Sequence, residues 1–381
     1  MAGPLQGVKI IEIAGIGPGP FAGMMLADHG ADVIRVERPG APEGLTAPRT
    51  DVLSRNRRHV AIDLKKPEGT ALLRDLARTA DGLIEGFRPG VMERLGLAPE
   101  TLLADNPRLV YGRMTGWGQT GPLARTAGHD IDYIAVAGAL HAFGRAGNKP
   151  TPPINMVGDF GGGGMFLAFG MVSAILHARA TGQGQVIDCA MVDGAAMLMS
   201  MIWSFRAAGV WKDARGVNML DTGAHFYDTY ETKDGKYLAI GAIEPQFYAE
   251  LRRLAGLTED HEFDGQMAFY DWPRLKEKLA KIIHTRTRDA WMAIFDGTDA
   301  CVAPVLSMAE APHHAHNVAR ATFIEAGGVT QPAPAPRFSA TPAAPPRMAT
   351  GHSGADTDAI LAELGRDAAC IAAFKKSGVI G

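Results

Sequence analysis

The sequence predicts an α/β protein, a large domain with a parallel sheet plus a smaller α+β domain. Three observations carry this. From the N-terminus to about residue 208, short apolar runs rich in β-branched residues alternate with helical stretches. After about residue 210 the pattern changes to two alternating runs around a Lys233-Asp234-Gly235 turn, followed by short helices. A chain of 381 residues is also too long for one ordinary core.

Val8 to Ile13 reads as a buried strand, Phe21 to His29 as a helix and Ala31 to Glu37 as a second strand, which implies parallel pairing. The pattern continues with a strand at Val60 to Leu64 and a helix at Pro67 to Thr79, with proline in its first turn. Strands follow at Leu83 to Glu85 and Leu109 to Met114, with a short helix at Val91 to Leu95 between them. Gly164 to Ala180 is a helix, Val186 to Cys189 a strand and Val192 to Ala208 a helix. In the second part, Phe226 to Glu231 and Tyr237 to Gly241 pair as a hairpin, and helices fall near 246–256, 273–284 and 287–296. Residues 331–346, rich in Pro and Ala, form an extended segment, and Asp356 to Leu364 and Ala368 to Lys376 are closing helices. The expected large domain is 1–210, completed by 330–381, and the expected small domain is 220–325.

Composition narrows the function. A hydrophobic content of 46% and a charged content of 21% are those of a soluble globular protein. A net charge of -3 argues against a nucleic-acid partner held by bulk electrostatics. Cys189, Cys301 and Cys370 are scattered, with no disulfide framework and no metal-ligand spacing. Met1 to Leu5 lacks the character of a signal peptide, no uninterrupted apolar run is long enough for a bilayer, and Gly378 to Gly381 carries no address. The expectation is a cytoplasmic protein with no membrane partner and no bound metal.

Several motifs carry chemistry. Gly15-Ile16-Gly17-Pro18-Gly19 follows a strand and precedes a helix, and Glu37 ends the next strand where a ribose-binding acid would stand. The spacing is not that of a dinucleotide fingerprint, however, and Pro18 and Pro20 remove backbone donors where a pyrophosphate would need them. A tight strand-to-helix turn is the favoured reading. The basic run Arg55-Asn56-Arg57-Arg58-His59 reads by default as a solvated loop. Arg38, Lys65 and Arg88 each lie just past a strand, where they can converge on a polyanionic ligand. His129 sits in a polar loop between Gly128 and Asp130, and Asp132 is close by. Asp159 precedes four glycines, Gly161 to Gly164, ahead of an apolar helix. Asp is a good N-cap, but four glycines are poor helix formers, which points to close approach of backbone to a ligand. Glu244 follows a strand and precedes Pro245. Met114, Met156, Met165 and others nearby are mostly core residues, with some offering a pliable apolar surface.

Five stretches together are recognisable: Ala14 to Pro20, Gly116-Trp117-Gly118-Gln119-Thr120-Gly121-Pro122, Gly128-His129-Asp130-Ile131, Val157 to Gly163, and Gly241 to Tyr248. With them, nearly the whole chain resembles the family III CoA-transferases, and within them the α-methylacyl-CoA racemase branch. The resemblance implies a large α/β domain built on a Rossmann-like sheet plus a small domain, in an interlocked homodimer whose active site lies between the large domain of one subunit and the small domain of the other. It implies an acyl-CoA substrate and no cofactor, CoA being part of the substrate. His129 and Asp159 fall on the catalytic acid/base pair, and Glu244 on an acid that supports the histidine. Arg38, Ile62, Asp63, Leu64, Lys65, Gly86, Phe87, Arg88 and Arg94, with Gly128, Asp130, Ile131, Asp132 and Tyr133, fall on CoA-binding positions. Ile62 stands where a smaller residue is common. The implied reaction is inversion at C2 of a 2-methylacyl-CoA thioester by 1,1-proton transfer through an enolate. The alternative is CoA transfer between carboxylic acids, with Asp159 forming an acyl anhydride and then a thioester. His129 favours the first, because the transferase branch usually lacks a histidine there.

Overall fold

The computed structural model describes residues 3–40, 50–349 and 353–381, and the chain divides into two compact units. The first comprises Met1–Ala137, Ile154–Leu198 and His316–Gly381, and the second Gly138–Pro153 and Met199–Ala315.

The first unit is built on a six-stranded sheet: β1 (Lys9–Ile13), β2 (Asp32–Glu37), β3 (Arg58–Ala61), β4 (Gly82–Glu85), β5 (Val110–Thr115) and β6 (Gln185–Ala190). Every pairing is parallel, and the order is β3-β2-β1-β4-β5-β6. This is the order of doubly wound nucleotide-binding folds, in which the chain reverses direction across the sheet between β1 and its neighbour β4. The register places Ile11 between Ile34 and Leu83. Because strand side chains alternate, Ile11, Ile34 and Val60 face one layer and Ile10, Val33 and Ile84 the other. The first layer is closed by Leu72, Leu73 and Leu76 of the Pro67–Arg78 helix and by Ile360, Leu361 and Ile371 of the two C-terminal helices, Thr357–Glu363 and Ala368–Lys376. The second is closed by Ala22 and Leu26 of the Pro18–Asp28 helix and by Leu167, Met171 and Ile175 of the Phe166–Thr181 helix. Tight burial on both faces explains why these strands read as continuous apolar runs.

Two sequence expectations change here. The run Arg55 to His59 is not a solvated loop. Arg55 bonds Asp28 at 2.5 and 3.0 Å, Arg57 pairs with the wholly buried Glu12 at 2.7 Å, and Arg58 grips Asp32 at 2.6 and 2.9 Å. His59 bonds Glu37 at 3.0 Å. The carboxylates come from earlier turns of the chain, so only the folded sheet reveals that the cations have internal partners. The expected helix from Val192 to Ala208 is two helices, Met191–Leu198 and Ser200–Ala207, interrupted at Met199 (φ -85, ψ 6), where the two units divide.

A third difference concerns the glycines. The helix does not begin at Gly164. A π-helical segment, Met156–Met165, runs directly into the Phe166–Thr181 helix. Added Cβ atoms show why glycine is needed. At Gly162 one would lie 2.6 Å from the Ala195 backbone nitrogen, and at Gly164 2.9 Å from the Pro18 carbonyl oxygen. The glycines let this segment wedge between the Pro18–Asp28 and Met191–Leu198 helices, so their close approach is to protein backbone. The joined stretch Met156–Thr181, 26 residues, is long and apolar enough by length and composition to cross a membrane, which the uninterrupted runs of the sequence do not indicate. In the fold its Leu167, Met171, Ala174 and Ile175 pack in the second layer of the core.

The second unit holds the antiparallel strands β7 (Tyr227–Glu231), β8 (Tyr237–Gly241) and β9 (Val302–Val305), in the order β7-β8-β9. The helices Pro245–Leu254, Trp272–Ile283 and Arg288–Phe295 supply Tyr248, Leu251, Leu275, Leu279, Trp291 and Phe295 to a core around Phe226 and Leu238. A short hairpin, β10 (Phe323–Ala326) with β11 (Val329–Pro332), belongs to the first unit.

Candidate active site

The carboxyl ends of β1 and β4 flank the point where the strand order reverses, the usual place for a ligand crevice in such sheets. After β1 the chain turns through Gly15 to Gly17 into a helix that opens on Pro18. Gly17 has φ +67, and an added Cβ would lie 3.3 Å from Asp159 Oδ2. Glycine is therefore required twice, for the left-handed turn and for the carboxylate against it. The β1 turn thus holds a protein carboxylate where a dinucleotide fold would hold phosphate. Glu37 is also engaged: burial raises its affinity for a proton, but the His59 ring and Arg35 guanidinium outweigh that and hold it down to about 2. The nicotinamide reading has no support at either position.

His129 is not in a loop proper but caps the helix Asp130–Val136, and its side chain is exposed. The Asp132 carboxylate accepts from the His129 backbone N–H at 3.0 Å, which anchors the cap. Tyr133 donates to the Gly128 carbonyl, and its ring meets Trp117 edge-on at 4.9 Å. A Cβ at Gly128 would lie 2.7 Å from the Tyr133 ring, so the turn presenting His129 is shaped by that aromatic pair.

Asp159 lies inside the first turn of the π-helical segment rather than ahead of a helix. It is half-buried, and its carboxyl is shifted upward by burial and by the neighbouring Asp130 charge, while the Asn155 amide and His129 act in the opposite sense. Asn155 Nδ2 donates to Asp159 Oδ2 at 3.0 Å. Ile154, just before it, has φ +52, a costly backbone for a β-branched residue, and it turns the chain into the segment. The Asp130 carboxylate is buried and accepts from the Gly158 and Asp159 backbone N–H groups, both at 2.7 Å. Residue types alone reveal neither Asn155 nor this use of Asp130. The only hint is their spacing, four residues before Asp159 and one after His129.

The expected CoA contacts lie just past the strands. Arg38 follows β2, Lys65 follows β3, and Arg88 and Arg94 follow β4; all four side chains are exposed. Among the described residues none of the four has a carboxylate partner, whereas Arg55, Arg57, Arg58 and Arg113 are all ion-paired. Asp63 closes the turn before Lys65, its Oδ1 accepting from the Lys65 N–H at 3.0 Å. Leu64 and Phe87 lean on the first core layer, and Gly86 is exposed. Phe87 N–H donates to Glu85 at 2.7 Å, so a buried acid steadies the loop carrying Arg88. Ile131 is exposed beside His129. Ile62 differs from expectation: its side chain is wholly buried in the sheet core and offers a ligand no surface. Glu244 is in the second unit, where it is exposed and caps the helix Pro245–Leu254.

Similar proteins identify the family of the chain. The chain is 49% identical to an alpha-methylacyl-CoA racemase of Mus musculus, covering 95% of this chain and 93% of the relative. It is 47% identical to the alpha-methylacyl-CoA racemase of Homo sapiens, with the same coverages. A solved CAIB/BAIF family protein from Brucella suis superposes with a TM-score of 0.81 at 27% identity, over 96% of this chain and all of that one. Residues 5–357 match the family described as CoA-transferase family III, and the chain belongs to that family.

Proposed function

We propose that this protein is an α-methylacyl-CoA racemase, an isomerase that inverts C2 of 2-methylacyl-CoA thioesters. The observation that carries the reading is that the Asp130 carboxylate joins the segment presenting the exposed His129 to the segment holding the half-buried Asp159, on a fold whose relatives at 47–49% identity bear that name. CoA transfer between acids is the lesser reading, since a transferase needs Asp159 alone and gives His129 no task.

A thioester acidifies the adjacent C–H, and its removal leaves an enolate with charge largely on oxygen. One group takes the proton from one face of C2, and the other returns a proton to the opposite face. His129 and Asp159 serve as this pair, each acting as base or acid according to the enantiomer bound. General acid–base catalysis of this kind contributes roughly 10²–10⁴-fold. The upward shift of Asp159 suits the role, because it makes the carboxyl a better proton acceptor than an ordinary aspartate. The partner subunit's Glu244, in an interlocked homodimer, orients the ring and stabilises its charged form. Exposed Phe169 and Leu176 on the Phe166–Thr181 helix offer apolar surface to a second copy. The chemistry needs no metal or redox cofactor.

Arg38, Lys65, Arg88 and Arg94 hold the phosphate groups and stack on the adenine, with Asp63, Leu64, Gly86, Phe87, Gly128, Ile131, Asp132 and Tyr133 completing the CoA site; the Asp130 carboxylate, buried against Gly158 and Asp159, is not a contact. Remote contacts of this kind position C2. Exposed Ile154 and Met156 receive the acyl chain. Cys189, Cys301 and Cys370 are free, which fits a reducing, cytoplasmic setting.

Incubation of the protein with one enantiomer of a 2-methylacyl-CoA in deuterated water tests the reading. Deuterium enters C2 with loss of optical purity and without an acceptor acid. Label that depends on a second acid, or CoA that moves to that acid, would establish the transferase instead.

A further inference from the structure

One carboxylate ties together the two chain segments that carry the proton-transferring groups. Asp130 follows His129 directly and opens the helix that His129 caps. Its Oδ1 reaches across to the π-helical segment and accepts from the Gly158 and Asp159 N–H groups, each at 2.7 Å. Asp130 is 5% exposed, and its Oδ2 is buried without a hydrogen-bond partner. The neighbouring residue is shaped to admit it: a Cβ at Gly158 would lie 2.5 Å from Asp130 Oδ1. Backbone N–H bonds to an ionised acceptor are stronger than neutral ones, and burial strengthens them further.

We infer that Asp130 is a positioning residue whose carboxylate sets the separation and facing of His129 and Asp159. This rests on the acid/base reading above. Inversion needs two groups on opposite faces of one carbon, and a misplacement of about 1 Å costs on the order of 10²-fold. Without the Asp130 bridge, the two groups are positioned by separate segments. The same charge also faces Asp159 and, together with burial, disfavours its ionisation, while His129 and the Asn155 amide favour it. Gly17, on the remaining side, brings no charge.

The test compares D130A and D130N with the wild type, following inversion and C2 deuterium exchange from each enantiomer across pH, together with CoA affinity. In D130A, kcat falls on the order of a hundredfold in both directions, while KM and CoA affinity stay within about threefold. Exchange with retention rises relative to inversion, because one base then returns the label to the face it came from. D130N keeps an oxygen acceptor for both N–H groups and so restores most of the rate. Its acidic limb moves to lower pH, since the charge beside Asp159 is gone. The inference is overturned by a D130A rate within threefold of wild type, or by equal loss in both variants with raised KM and an unmoved pH profile. If D130A does not fold, the D130N profile decides alone, and an unmoved limb overturns it. Absence of exchange in the wild type would instead sink the racemase reading itself.

Discussion

Asn155 Nδ2 donates to Asp159 Oδ2 at 3.0 Å, so an amide one turn earlier in the chain holds the carboxylate that lies against Gly17. A donor to a carboxylate favours its ionised form. Asn155 therefore opposes the upward push of burial and of Asp130 on Asp159. Replacing Asn155 by Ala lets the Asp159 proton affinity rise further. In the direction that uses Asp159 as base, the acidic limb of the kcat profile moves to higher pH, and the rate on that limb falls about tenfold. Initial rates from each enantiomer across pH measure this. An unmoved limb would remove Asn155 from the site.

The cations past β2 and β4, without a carboxylate partner among the described residues, predict a split between binding and turnover. R38A and R88A each raise KM for the acyl-CoA about tenfold and change kcat by less than about threefold, because the contacts proposed for them are with the part of the substrate that does not react. Added salt raises the wild-type KM in the same sense, as screening weakens exposed phosphate contacts. Steady-state kinetics at two ionic strengths check both. An unaltered KM would leave these side chains as ordinary surface charge.

Packing, rather than ligand access, accounts for the glycines after Asp159. A Cβ at Gly162 meets the Ala195 nitrogen at 2.6 Å and the Gly194 carbonyl carbon at 2.9 Å, and backbone gives way poorly. G162A accordingly lowers stability by about 1–3 kcal/mol in denaturant unfolding, the usual effect of overpacking. The same variant with unchanged stability and a raised KM would return the glycines to a ligand-facing role.

Glu85 predicts a pH dependence of folding. Burial pushes this carboxyl up to about 7 from its ordinary 4.5, with the Phe87 N–H and Arg113 limiting the rise. A raised carboxyl means the folded chain binds more protons than the unfolded chain between those two values. Its contribution is therefore most favourable below about 4.5 and is lost as pH rises through about 7. The E85Q variant lacks this loss, so it gains on the wild type across that window by up to about 3 kcal/mol. Urea denaturation of both at several pH values measures it, and a pH-independent difference would refute it.

Much of the fold was legible in the residues themselves. β1, β2 and β4 are short apolar runs between turn signals, and burial on both sheet faces leaves that mark in any sequence. Tyr227–Glu231 and Tyr237–Gly241 show the alternation of a half-covered hairpin. His129, Asp159 and Glu244 stand in recognisable local stretches. The hairpin Phe323–Ala326 and Val329–Pro332 was not legible, being short and only partly covered.

Periodicity and motif, which are properties of neighbours in the chain, settled the strands and the fold class and pointed to His129 and Asp159. Tertiary structure alone decided which charges are free and which are taken. Arg57 and Arg88 are the same residue type, but Glu12 closes on the first, and the second has no carboxylate partner among the described residues. It likewise decided that Asp130 braces Asp159, and that Gly162 makes room for Gly194. A side chain's partner across space is set by packing, and packing brings together residues tens of positions apart whose identities carry no local trace of each other.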